Sequence, residues 1–179
     1  MDKTLETRAA YWEPRIKTYG FQRAANLFLF EMTVPTARID TLGRAFCRLG
    51  DAGVGFDLVF SRPCSKGLEI FLLVAAERAK VIETHLQELI EGTEKVVRRI
   101  SPAEMVFFQG PHFGDRCGIF NTALRALDVR GIHIAATVCS GSCVYLVLPE
   151  GKSEEAVAAL SEVFEIPKAS SHKHSVPAG

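Results

Sequence analysis

The stretch HFGDRCGIF (112–120) places an imidazole, a carboxylate, a guanidinium and a thiol (His112, Asp115, Arg116, Cys117) within six residues, with Gly114 and Gly118 among them. One chemistry open to this set is nucleophilic. A thiol in the first turn of a helix beside an arginine has a lowered pKa, and His112 is near enough in sequence to act as its base. No third group is in place to orient the imidazole, so the competing reading is a packed or merely exposed thiol. The other chemistry is recognition. A helix N-terminus presents unpaired N–H groups and the positive end of its dipole, which suits a carboxylate, and glycines remove Cβ atoms that would block its approach. The candidate contacts are Phe113, Gly114, Asp115, Arg116, Gly118, Ile119 and Phe120 on the turn. Asp115 and strand carbonyls at Ile134 and Ala135 would meet an ammonium, and Ser140 a side chain. A purely structural alternative stands beside it: the glycines let helix and strand pack closely.

Other motifs carry less. PEGKS (149–153) has Leu146 where a phosphate-binding loop needs glycine, and GDAGVG (50–55) follows a helix where a dinucleotide turn would follow a strand. Cys139 and Cys143 flank SGS, either as a switchable disulfide or as free thiols. His112 and His133 read as hydrogen-bonded or exposed imidazoles. His172 and His174 lack cysteine or acidic partners, so no metal is expected. The acidic residues cluster on helix faces as solvation, and no catalytic residue and no cofactor are expected.

Composition narrows the class. The 179 residues are 47% hydrophobic and 23% charged, enough for a sizeable core, and 21 Lys+Arg balance 21 Asp+Glu. No basic cluster exceeds VVRRI, so no nucleic-acid partner is expected. The start is too polar for a signal peptide, and the longest apolar runs, such as IFLLVAA (70–76), are too short for a membrane span. Five cysteines, an odd number, read as reduced thiols in a cytoplasmic protein.

An internal repeat supplies the scaffold. Residues 36–60 shifted by 78 fall on 114–138, and from residue 67 the shift becomes 74. Each copy reads as a strand, an amphipathic helix (Ile39, Leu42, Ala45, Phe46, Leu49; Ile119, Phe120, Ala123, Leu124, Leu127), a C-cap glycine (Gly53; Gly131), a hairpin and a second helix. VVRRI would close a βαββαβ order in the first copy, whereas the second offers only EIP. The expected class is therefore α+β, with two ferredoxin-like domains at 25–101 and 102–168. A short N-terminal helix over 4–18 lies in an extension of residues 1–24 and carries Tyr11 and Trp12. A flexible tail covers 169–179.

GDRCGIFNTALRALDVRGIHIAATV resembles the first half of an ACT domain, and SGSCVYLVLPEGKSEEAVAALSEVFE its second half. The pair of copies resembles the tandem ACT regulatory region of aspartokinases over about residues 25–167. Cys117 stands where the family's turn usually has proline. Asp40, at the family's glycine, marks the first copy as the one whose ligand turn is changed. The resemblance implies a non-catalytic sensor of a small amino acid, perhaps of the aspartate family, acting on an amino-acid biosynthetic enzyme. The alternatives are a regulatory subunit of an aspartokinase and a structural or partner-docking dimer. A homodimer is expected through sheet edges, with IHIAATV and VYLVL suited to pairing.

Overall fold

A computed structural model describes residues 15–90 and 98–166. Among these the fold is mixed α/β. The elements run β1 (Ile16–Lys17), β2 (Phe21–Val34), α1 (Ile39–Asp51), β3 (Leu58–Cys64), β4 (Gly67–Ala75), α2 (Ala79–Ile90), β5 (Arg98–Gln109), α3 (Ile119–Val129), β6 (Ala136–Cys139), β7 (Cys143–Pro149), α4 (Ser153–Val163) and β8 (Phe164–Glu165). Six strands form one sheet in the order β3-β4-β2-β5-β7-β6, with every neighbouring pair antiparallel, and β1 pairs with β8 in parallel.

Two long strands join the repeats. Strand β2 pairs through Phe21–Ala24 with Met105–Phe108 and through Leu27–Glu31 with the start of β5, while β5 continues past residue 101 to pair with β7. The boundary expected between 101 and 102 therefore falls inside one strand. EIP does not close the second copy: Phe164–Glu165 pairs with β1 outside the main sheet, and the first half of β2 takes the place beside β5. The apolar run from EMV onward shows β5's existence, but nothing local shows which copy a strand will serve. The helix expected over 4–18 does not reach its end, since Ile16–Lys17 is a strand. Its earlier part, with Tyr11 and Trp12, lies outside the described residues, as do the tail 169–179 and both of its histidines.

The helices cover the sheet in pairs. Leu42, Ala45 and Leu49 of α1 and Ile82 and Leu86 of α2 pack on Phe30, Met32, Ile70, Leu72 and Val74. Ala123 and Leu127 of α3 and Ala156 and Leu160 of α4 pack on Val106, Phe108, Val144 and Leu146. The residues of opposite parity, Leu27, Leu29, Phe71, Leu73, Ala103, Met105 and Val147, form a third cluster that contains no helix residue. Strands β3 and β6, at opposite ends of the order, would lie about 24 Å apart in a flat sheet, yet both line one cleft. The sheet therefore folds over, and its two halves cover each other's inner faces. Bulges where β2 crosses β5, at Ala24/Leu27 and Leu27/Leu29, mark the bend, and Asn26 there has φ 56°.

The repeat holds to the level of caps. At the end of α1, Gly53 N–H donates to Gly50 O and Val54 N–H to Leu49 O, both at 2.9 Å. At the end of α3, Gly131 donates to Asp128 (2.8 Å) and Ile132 to Leu127 (3.0 Å). Both are Schellman caps, and both glycines are left-handed (φ 69° and 64°), as the sequence led one to expect. Among the described residues, no helix is long and apolar enough to cross a membrane.

Candidate functional site

The turn leading into α3 is built from the core outward. Phe113 is buried, its ring edge-on to Phe108 at 5.9 Å, which anchors the loop. The N–H groups of Asp115 and Arg116 both donate to His112 O at 3.0 Å, and His112 Nδ1 stands 3.8 Å from Asp115 Oδ2. Arg116 Nη1 donates to Arg15 O at 3.5 Å. Gly118 is the N-cap of α3 with φ 88°, and no side chain caps the helix; Thr122 N–H donates to Gly118 O at 2.9 Å as the first helical bond. A Cβ built on Gly118 would meet nothing within 4 Å. Glycine here answers a backbone requirement, and the space above it is open.

Gly114 has a different reason. Its Cβ would lie 3.2 Å from Gly141 O, in the turn between β6 and β7. The first copy shows the same apposition from the other side, where a Cβ on Gly67, the repeat equivalent of Gly141, would meet Val34 O at 2.3 Å. In both halves the hairpin turn presses on the loop after the first strand. The first copy's loop differs beyond that point: residues Thr36–Arg38 form a 3-10 turn that runs straight into α1, and Asp40 is helical.

The remaining expected contacts are distributed. Ile119 is buried, Phe120 and Ile134 pack half-buried against the same core, and Ala135 N–H donates to Val147 O at 2.8 Å. The Ser140 hydroxyl is engaged by the hairpin, accepting from Cys143 N–H at 3.1 Å. Ile134 and Ala135 line a cleft of about 660 Å³ with Ala136–Cys139 and Leu124 on one side and Glu31, Phe60, Ser61, Arg62 and Phe71 on the other. The turn residues Phe113–Phe120 do not line it.

The far wall of that cleft carries none of the contacts expected from the sequence. The rings of Phe60 and Phe71 stack at 4.5 Å and 4°. The Arg62 guanidinium stands 5.7 Å from the Phe71 centroid, and its Nε donates to Glu69, whose carboxyl that bond holds below the ordinary carboxylate range. Glu69 interrupts an otherwise apolar strand and Glu31 the apolar stretch Leu27–Met32, which is the one signal that could have flagged this face.

Cysteine chemistry gains little. All five cysteines are free. Cys139 pairs in register with Val144, so Cys139 and Cys143 point to opposite faces of the hairpin; that geometry removes the switchable disulfide. Among the described residues, no three His, Cys, Asp or Glu side chains stand together as metal ligands.

No protein-family model matches this sequence, and no curated protein matches it. Solved structures do match its fold. The regulatory subunit of aspartate kinase from Thermus flavus superposes with a TM-score of 0.72 at 13% identity, over 82% of this chain and 98% of that one. Aspartate kinase from Synechocystis gives 0.76 at 19% identity, over 94% of this chain and 30% of that enzyme. E. coli aspartokinase III in complex with lysine and aspartate gives 0.58 at 17%, over 87% of this chain and 35% of that one. Two folded-over halves with helices outside, spanning nearly the whole of one regulatory subunit and about a third of each whole kinase, give this chain the fold of an aspartokinase regulatory region.

Proposed function

We propose that the protein is a non-catalytic regulatory module that binds a small amino acid and passes the signal to a partner enzyme of amino-acid biosynthesis. One observation supports this: the match covers 98% of the regulatory subunit of aspartate kinase from Thermus flavus. In this reading the halves are two ferredoxin-like ACT units sharing β2 and β5. The E. coli kinase solved with lysine and aspartate supports an amino acid as ligand.

The α3 turn is the first place for it. A carboxylate there would lie over the uncapped N–H groups near Gly118 and Ile119, where the dipole of α3 contributes about 0.3–1 kcal/mol. Asp115 is exposed and within the same turn for the ammonium. A second reading, a structural or partner-docking module, is favoured by the Gly114–Gly141 contact, which accounts for one of the two glycines without a ligand. Subunits would associate through the sheet edges β3 and β6. VYLVL, expected to pair between subunits, is instead interior, between β5 and β6. Light scattering that reports only monomer at micromolar concentration, with and without amino acid, contradicts the dimer.

Gly118→Asn tests the turn. Asparagine tolerates φ > 0, so the fold survives while a side chain enters the open space. Calorimetry should show at least tenfold weaker binding of the amino acid that the wild type binds; equal affinity removes the ligand from this turn.

A further inference from the structure

We propose that the groove between α3 and α4 is the docking site of the chain's own N-terminal segment, with the Trp12 side chain as its anchor. The inference goes beyond the sensor reading and needs no amino acid to be bound.

The two helices of the second half part along their outer side. Ala126 and Val129 of α3 and Ala159 and Val163 of α4 wall a groove of about 320 Å³. Val129 is 82% exposed, the most of any large hydrophobic side chain among the described residues. A single exposed valine is ordinary on a protein surface. This one is different because it closes a concave surface whose opposite wall is apolar too. Polar groups stand only along its length at either end of α3: Asn121 and Thr122 at the start, and Arg130, paired with Glu162, at the finish.

The chain enters the fold beside this groove. Strands β1 and β8 are parallel with Ile16 opposite Phe164, so the residues before Ile16 run toward Val163 and Glu162, both on the groove wall. Arg15 already touches it. Its guanidinium donates to Glu162 O, while its own carbonyl accepts from Arg116 Nη1 at 3.5 Å. Trp12 and Tyr11 precede Arg15 by three and four residues, a reach of about 10–14 Å. The groove runs about 14 Å along α3 from Asn121 to Arg130, so both side chains can be placed within it.

The chemistry of the segment fits. An indole brings a large apolar surface and an N–H that needs an acceptor when buried, and the side chains of Asn121 and Thr122 supply one. Glu13 follows Trp12 directly, and Arg125 on the groove makes no ion pair among the described residues. A tether this short also gives the segment an effective concentration on the order of millimolar, which favours it over a free protein or a second copy. Because Arg116 holds Arg15 O, docking also fixes the loop that leads into α3.

Trp12 is the single tryptophan of the chain, so its fluorescence reads the docking directly. In the full-length protein its emission should be blue-shifted and quenched by acrylamide several-fold less steeply than in the urea-unfolded chain. Val129→Glu and Arg125→Glu, both at exposed positions, should bring emission and quenching toward the unfolded values while circular dichroism shows each variant folded. Val81→Glu, at the exposed valine of α2, is the control and should change neither. The wild-type signal should be the same at nanomolar and at micromolar protein. A blue shift that appears only as concentration rises would give the groove to a second copy and overturn the proposal. Protection of Trp12 that survives both groove variants would place it elsewhere, and a wild type quenched as steeply as the unfolded chain would leave the groove to another protein. Either result sinks the proposal and leaves the sensor reading untouched.

Discussion

The carboxylate of Glu104, on β5, accepts the backbone N–H of Ser153 at 2.7 Å and so sits on the first turn of α4. The GKS segment that fails as a phosphate loop is in this way an anion nest filled by the protein's own side chain. Partial burial works to raise the Glu104 pKa. Hydrogen bonds from the Ser153 hydroxyl and from the N–H groups of Ser153, Gly151 and Lys152 outweigh it, so the carboxyl titrates below the ordinary range.

A depressed folded-state pKa contributes stability that is present above the unfolded value, about 4.3 for glutamate, and is lost as pH falls through the folded value. Glu104→Gln should therefore destabilise by about 1 kcal/mol at pH 7, the scale of a lost helix cap. In urea titrations the gap to wild type should narrow steadily below about pH 4.3. A gap that stays constant to pH 3 would mean the carboxylate charge contributes nothing.

Folding the sheet onto itself makes a second prediction. Leu73 is fully buried in the cluster shared by the two halves, away from every helix. Leu73→Ala should cost about 2–5 kcal/mol, as core truncations do. Val59, its close neighbour on β3 but 43% exposed, should lose less than about 1 kcal/mol as Val59→Ala. Similar costs at the two positions would show that the inner faces do not pack.

Much of the architecture was legible because it is written in local periodicity. The helical spacing from Leu42 to Leu49, repeated from Phe120 to Leu127, and glycines at 53 and 131 fix helices and caps without reference to anything distant. What was not legible is long-range. The strand read from the sequence begins at Ala25, and nothing in Phe21–Ala24, with Gln22 and Arg23, announces that it extends the same strand to serve the other half of the sheet. The cleft was missed for the same reason: Phe60, Arg62 and Ile134 meet only because the sheet folds, and charges at Glu31 and Glu69 are the sole local trace. The α3 turn was found because its signal, glycine at the start of a helix, is local. The positive φ at Gly118 gives that glycine a backbone reason that the expectation of an open approach had not included, while the contact of Gly114 with Gly141 depends on the hairpin and was invisible.

The central claim is that this chain binds a free amino acid, and a thermal-shift screen of the full protein against the twenty amino acids tests it most directly. A ligand that binds only the native state stabilises it by about 2.7 kcal/mol at a hundredfold excess over its Kd. At least one amino acid should raise the melting temperature by several degrees in a saturable, concentration-dependent way, while its carboxamide should not. A flat response to all twenty at millimolar concentration would contradict the account.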